Sequence, residues 1–208
     1  MRPMKLTMCG WGSYPEKSVI DFSGFYHDGL FLITGPTGAG KTTIFDAISF
    51  SLYGDVSGRT REKTSVRSDF AAPDIDTYIE LIFNHKDTEY KIRRSPKYTR
   101  PKKRGEGFTT SFERAELSID HGTPIVSLNE VNKKIDEIMG MNYDQFKKIA
   151  MIAQGEFLEL LVSSSKDRVE ILRNLFKTNQ YEKLQYHLSD RAKALFKEIE
   201  EYRHRVEE

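Results

Sequence analysis

Apolar positions change their period along this chain, and each change marks an element. Residues 4–8 alternate and residues 18–22 are short and partly β-branched, so both read as strands. Residues 29–34 are a continuous apolar run, the pattern of a strand buried on both faces. That run enters a glycine-rich loop, after which Ile44, Phe45, Ile48 and Leu52 recur as one helix face and Gly54 supplies a stop. Residues 55–76 are polar and broken by Gly and Pro, and read as a long surface loop. Two antiparallel strands are predicted over 77–83 and 90–94, turning at His85-Lys86-Asp87-Thr88. Residues 95–107, rich in Pro, Gly, Lys and Arg, are expected to be mobile, and strand character resumes over 110–120 before a turn at His121-Gly122.

From Leu128 the period becomes helical. Leu128, Val131, Ile135, Ile138 and Met139 form one face, and Gly140 ends it. Phe146, Ile149, Ile152 and Ala153 suggest a further helix or strand leading to Gln154-Gly155-Glu156-Phe157. Ser165 is placed to cap a helix over 166–177, with Asp167 near its positive end. Tyr181, Leu184, Leu188, Arg191, Leu195, Ile199, Tyr202 and Val206 recur at 3/4 spacing, with Glu, Lys and Arg between them, a heptad-like seam. An amphipathic helix lying on its own domain fits the same spacing. The expected division is a lobe over 1–178 and the start of a coiled coil over 179–208.

Composition narrows the classes. The chain has 208 residues, 38% hydrophobic and 30% charged, enough for one large domain with a well-solvated helix. A net charge of +1 gives no global pull toward nucleic acid or membranes, so any such surface is local. The single cysteine, Cys9, rules out a disulfide framework. No apolar run approaches the ~18 residues of a membrane span and no signal peptide opens the chain, so the expectation is a cytoplasmic protein.

The chemistry concentrates in Gly35-Pro36-Thr37-Gly38-Ala39-Gly40-Lys41-Thr42, a complete G-x-x-x-x-G-K-[ST]. Glycines let consecutive N–H groups wrap a phosphate without Cβ collisions, and the following helix directs its positive end at that charge. Lys41 is suited to the β- and γ-phosphates and Thr42 to a magnesium ion, which makes ATP and Mg2+ the expected ligands. The loop does not name the reaction. A guanine-reading N-K-x-D is missing, since Asn132-Lys133-Lys134-Ile135-Asp136 is one residue too long and sits in a helical pattern. No apolar strand ending in Asp follows the loop; Glu116-Leu117-Ser118-Ile119-Asp120 is the nearest and belongs to a hairpin region. The phosphate cradle is thus present without the acid that would polarise water.

On these motifs the chain resembles the N-terminal half of the ATPase head of the SbcC branch of the SMC-like ATPases. The resemblance is carried by Met4-Lys5-Leu6-Thr7, Gly12-Ser13-Tyr14, Ile20-Asp21-Phe22, the loop with Thr43 and Phe45-Asp46-Ala47-Ile48, Leu52-Tyr53-Gly54, residues 76–83, and Gln154-Gly155-Glu156-Phe157. It implies an α/β fold of ABC/SMC type, with a mixed sheet bearing the loop helix, an antiparallel β-lobe and the beginning of an antiparallel coiled coil. It further implies that Pro36, Thr37, Gly38, Ala39, Gly40, Lys41, Thr42 and Thr43 surround the phosphates. Gly12 and Ser13 would approach the nucleotide, Thr64, Ser65 and Val66 would lie near the base, and Thr42 and Gln154 would face magnesium. Lys41 and Gln154 are then the catalytic candidates. The signature motif and acidic strand end would lie in a C-terminal half, so this stretch is expected to bind nucleotide without appreciable turnover.

The same resemblance implies partners: an SbcD-like nuclease subunit, the C-terminal lobe of a longer chain, a second head, and double-stranded DNA, in repair and recombination. Arg93, Arg94, Lys97, Arg100, Lys102, Lys103 and Arg104 put seven positive charges within twelve residues. Counterion release suits such a run to DNA phosphates, with Lys102, Lys103 and Arg104 its centre, although a solvated loop fits equally. Two other functions stay open on the sequence: the head of a structural SMC-type or recombination-mediator protein without a nuclease partner, and an autonomous P-loop kinase.

Overall fold

The structure, a computed structural model, describes residues 1–25, 31–56, 66–102, 106–150 and 179–207. It falls into two compact units, Met1–Ala153 and Gln154–Glu208. In the first, β1 (Arg2–Cys9), β2 (Ser18–Asp21), β3 (Tyr78–His85), β4 (Thr88–Ser95) and β7 (Arg114–Ile119) make one sheet in the order β2-β1-β3-β4-β7, every pairing antiparallel. β5 (Tyr98–Pro101) and β6 (Phe108–Ser111) form a separate two-stranded hairpin. The helices of this unit are α1 (Lys41–Tyr53), α2 (Leu128–Met139) and α3 (Tyr143–Ala150).

Alternation along the strands divides the sheet into two faces. Ile79, Leu81 and Phe83 of β3, Ile92 of β4 and Leu117 of β7 are fully buried, while their sequence neighbours Tyr78, Glu80, Arg93 and Glu116 face the other way. α1 packs against β3 and β4, and α2 against β7, closing a core with Ala47, Phe50, Val131 and Ile135. Trp11, just past β1, is 1% exposed with its ring 4.8 Å from that of Phe50 on α1.

The helix stops fall where glycines were expected. Gly54 at φ 69° donates its N–H to Phe50 O, and the Gly140 N–H reaches Asp136 O. The β3–β4 turn holds Lys86 and Asp87 at positive φ, a twist matched to a two-residue hairpin. The residues around Phe146 resolve as a helix rather than a strand.

Three expectations change. Residues 31–34 are not a strand: no described strand lies beside them, Leu32 is 85% exposed, and Phe31 rests on Phe22 and Phe25. An apolar run asks for burial, but the ladder needs a neighbour to bond. The parallel part of a mixed sheet is therefore not among the described pairings. The basic stretch is partly ordered, because Tyr98-Thr99-Arg100 pairs with Ser111-Thr110-Thr109 and the Lys102 N–H bonds Gly107 O. The loop after α1 is not wholly superficial either: Val66 and Ser68 are buried, held to the residues after β1. The helix predicted over 166–177 lies outside the described residues.

The second unit contributes α4 (Asn179–Glu207), with Tyr181, Leu184, Leu188, Leu195, Ile199, Tyr202 and Val206 exposed along it. A loop helix on one face of an antiparallel lobe, and a long C-terminal helix, are the described parts of the α/β class expected of an ABC/SMC-type head lobe.

Candidate nucleotide-binding site

The glycine-rich loop enters α1 through Gly40, which caps the helix in the left-handed region at φ 88°. No side chain caps this end and no acidic residue lies in the first turn, so the free N–H groups of the first turn keep their positive end uncompensated. Residues 36–39 are exposed, and a Cβ on Gly38 would meet nothing within 4 Å, which leaves open space over the loop. Those donors match a phosphate in both charge and geometry.

Lys41 lies across the loop it follows. Its Nζ donates to Gly35 O and to Pro36 O, each at 2.8 Å. An ammonium has three protons, so one donor remains for an incoming oxygen while two hold the side chain in place. Thr42 is exposed beside it, and its hydroxyl is accessible to a metal bound with the phosphates. Thr43 is 3% exposed, so it offers its backbone N–H at the helix start rather than its hydroxyl.

A second layer backs the loop. A Cβ on Gly40 would come within 3.0 Å of both Ser13 and the Tyr14 ring, and the Tyr14 hydroxyl donates to Gly40 O at 3.4 Å. Burial pushes the Tyr14 phenol above its ordinary pKa, which keeps that proton on. Gly12 N–H bonds Val66 O at 2.9 Å, and Ser68 N–H bonds Gly10 O at 2.9 Å. The structure thus brings together Gly12, Ser13, the loop and Val66, segments far apart in sequence. Arg67 anchors this layer, donating to Ile75 O and Ala72 O.

Thr64, Ser65, Gln154, Lys103 and Arg104 lie outside the described residues. Lys102 is exposed at the hairpin end. Arg94 departs from the basic run: it is 1% exposed, pointing inward, where it donates to Ser51 O, Leu52 O, Asn132 Oδ1 and Glu113 Oε1. Alternation along β4 is the reason, since Arg93 and Arg94 face opposite sides. Asp120 at the end of β7 sits in a turn at φ 44°, its carboxylate accepting from the Glu89 N–H, and so is not placed as a metal acid. No cluster of three or more His, Cys, Asp or Glu suited to a metal occurs among the described residues.

Sequence reasoning missed Tyr14 as the back wall of the loop and Arg67 as its brace. The only signal was their position: Tyr14 next to two candidate residues, and Arg67 next to Val66.

A family model described as an AAA domain matches residues 5–208. The SbcC protein of the SbcCD nuclease from Vibrio cholerae is 38% identical over 206 residues, covering 97% of this chain and 20% of that protein. The Staphylococcus saprophyticus protein of the same name is 33% identical over 204 residues, covering 96% of this chain and again 20% of the relative. The Lactococcus lactis protein, also named so, is 36% identical over 185 residues, covering 86% and 18%. The chain therefore spans 20% or less of the length of these three relatives. An SMC head domain from Thermotoga maritima aligns at 26% identity with a TM-score of 0.38, over 64% of this chain and 42% of that one.

Proposed function

The chain belongs to the AAA-domain family, and on that footing we propose that it is the ATP-binding N-terminal lobe of the ATPase subunit of an SbcCD-type nuclease. The observation that carries the reading is the loop itself. Gly38 leaves open space, α1 presents free N–H groups, and Lys41 is pinned with one proton to spare.

In this reading the triphosphate lies along residues 36–43, its β- and γ-oxygens accepting from the first-turn N–H groups and from Lys41. Gly12 and Ser13 would approach the nucleotide, and Thr64, Ser65 and Val66 would lie near the base. Magnesium, when bound, neutralises phosphate charge; Thr42 supplies a hydroxyl to it and Gln154 a side-chain oxygen, and the remaining positions suit water. Tyr14 and Ser13 fix the loop from behind, so that the N–H groups need little rearrangement. Residues 1–178 form the lobe and 179–208 the start of the coil, whose exposed stripe on α4 suits a returning helix of a longer chain.

At the level of the whole complex, ATP binding joins two heads and hydrolysis releases them, which controls the access of an SbcD-like nuclease to double-stranded DNA. The groups that attack the γ-phosphate come from a C-terminal lobe. The setting is DNA repair and recombination in the cytoplasm. The names of the relatives and the lack of an acidic strand end after the loop support this reading.

Calorimetric titration with MgATP, beside a phosphate-release assay, tests it. We expect weak binding, a drop of at least about tenfold in affinity on Lys41→Ala, and release at background for both chains. Strong turnover abolished by Lys41→Ala would show that a catalytic acid lies within these residues and would overturn the half-site reading.

A further inference from the structure

On the face of the sheet away from α1, the β5–β6 hairpin borders an open cavity of about 250 Å³. It is a different place from the nucleotide loop, and its walls are polar. Arg93 comes from β4, Arg114 from β7 and Arg100 from the hairpin. The hairpin is held there by Tyr98, which is 7% exposed, donates to Asp76 Oδ1 and accepts the Thr77 N–H. Arg67 adds a guanidinium 5.0 Å from the Tyr98 ring centre.

An internal ion-pair network would be the simplest account of so many charges, and two carboxylates are indeed present. Asp76 accepts from Tyr98, and Glu116 stands opposite Arg93 across β4 and β7. That account leaves Arg100 unexplained. Its Nε is shielded from solvent and has no hydrogen-bond partner among the described residues. A buried donor left unmade carries a real penalty, which a small turn of the Arg100 side chain toward an acceptor in the cavity would remove. Three guanidiniums against two carboxylates leave a positive balance, and Ser95 and Ser111 add hydroxyl donors. Acceptor-only, anionic and compact is the description of the missing group. A volume of about 250 Å³ suits a compact anionic group.

We propose that this cavity binds a single phosphate group, free or at the terminus of a nucleic-acid strand, with the Arg93, Arg100 and Arg114 guanidiniums as its donors. Planar guanidinium forks suit tetrahedral oxyanions, because two parallel N–H groups meet two oxygens. The site belongs to the β-lobe alone and stands or falls independently of the nucleotide reading.

The test uses the 208-residue chain carrying Lys41→Ala, which weakens the nucleotide loop, and the Arg100 and Ser111 variants read the hairpin site separately from it. Inorganic phosphate is titrated and followed by phosphorus NMR line width. We expect saturable broadening, an affinity at least about tenfold lower with Arg100→Gln, and a partial loss with Arg100→Lys, which keeps the charge but not the planar fork. Ser111→Ala, a small truncation on the same wall, is expected to weaken binding about threefold with the fold intact. A 5′-phosphorylated oligonucleotide is compared with its 5′-hydroxyl twin: tighter binding of the phosphorylated strand, lost on Arg100→Gln, assigns the group to a strand end. Equal binding of the two strands with inorganic phosphate still bound assigns it to free phosphate. Absence of saturation below about 10 mM phosphate, or an affinity that Arg100→Gln and Ser111→Ala leave unchanged, overturns the proposal.

Discussion

Gly40 shows how a single residue carries two constraints. Its φ of 88° suits a residue without Cβ, and a methyl group there would press on Ser13 and Tyr14 at 3.0 Å. Gly40→Ala is therefore expected to destabilise the first unit by about 1–2 kcal/mol from backbone strain, with more from the contact, read by urea denaturation. MgATP affinity is expected to fall with it, because Tyr14 backs the loop. Tyr14→Phe separates the two effects: it keeps the ring against Gly40 and loses only the long hydroxyl bond, so stability is expected to change by under about 1 kcal/mol. A large loss of nucleotide affinity in Tyr14→Phe with unchanged stability would mean that the hydroxyl, not the ring, sets the loop.

Between elements, Arg94 does the tying. It joins β4 to the last carbonyls of α1, to Asn132 on α2 and to Glu113 before β7. Burial lowers its pKa and the Glu113 carboxylate opposes that shift, so the charge is retained. Arg94→Met would leave buried acceptors unmade, and we expect a loss of about 3 kcal/mol in urea denaturation. A loss under about 1 kcal/mol would show that those acceptors find other donors. A second junction links α1 to α3: Tyr53 donates to Met141 O and Tyr143 to Val56 O. Burial, reinforced by Asp55, Asp144 and Asp46, pushes the Tyr143 phenol up to about 12 from 10.0. Tyr53 is raised too, first by burial and then by Asp136. A raised phenol favours the protonated folded state. Its stabilising share is full below the unfolded value of 10.0 and is lost as pH rises through about 12. Thermal midpoints are expected to fall steeply over that window, and Tyr143→Phe to flatten the fall. These junctions were hidden in the sequence, because spacing shows that Ile135 and Leu52 face inward but not that an arginine inside a basic run does.

For the molecule as a whole, charge is the testable quantity. Charge reversal of Lys102, Lys103 and Arg104 is expected to weaken duplex DNA binding and flatten its dependence on salt, since fewer counterions are released. Unchanged affinity and slope in the intact protein would remove this arm as a DNA contact. Legibility differed by kind of signal. Helix α2 was readable to its stop because Val131, Ile135 and Met139 keep one face and Gly140 breaks it. The loop was readable because each of its residues is fixed by local chemistry. Residues 31–34 were misread because apolarity states a need for burial without naming the neighbour that meets it. The β5–β6 hairpin was missed because Pro101 and the surrounding lysines and arginines masked a short pairing that Tyr98 anchors from inside.

Trp11 gives the chain its own lamp. It is the sole tryptophan, its ring lies tilted 4.8 Å from that of Phe50 on the helix that begins at the phosphate loop, and its backbone closes the turn with Tyr14. Any shift of that helix or that turn alters the surroundings of one indole and no other. Ligand entry at the loop is then expected to change the emission of the unlabelled protein. One chromophore, placed by packing alone, reports by light on the loop it backs.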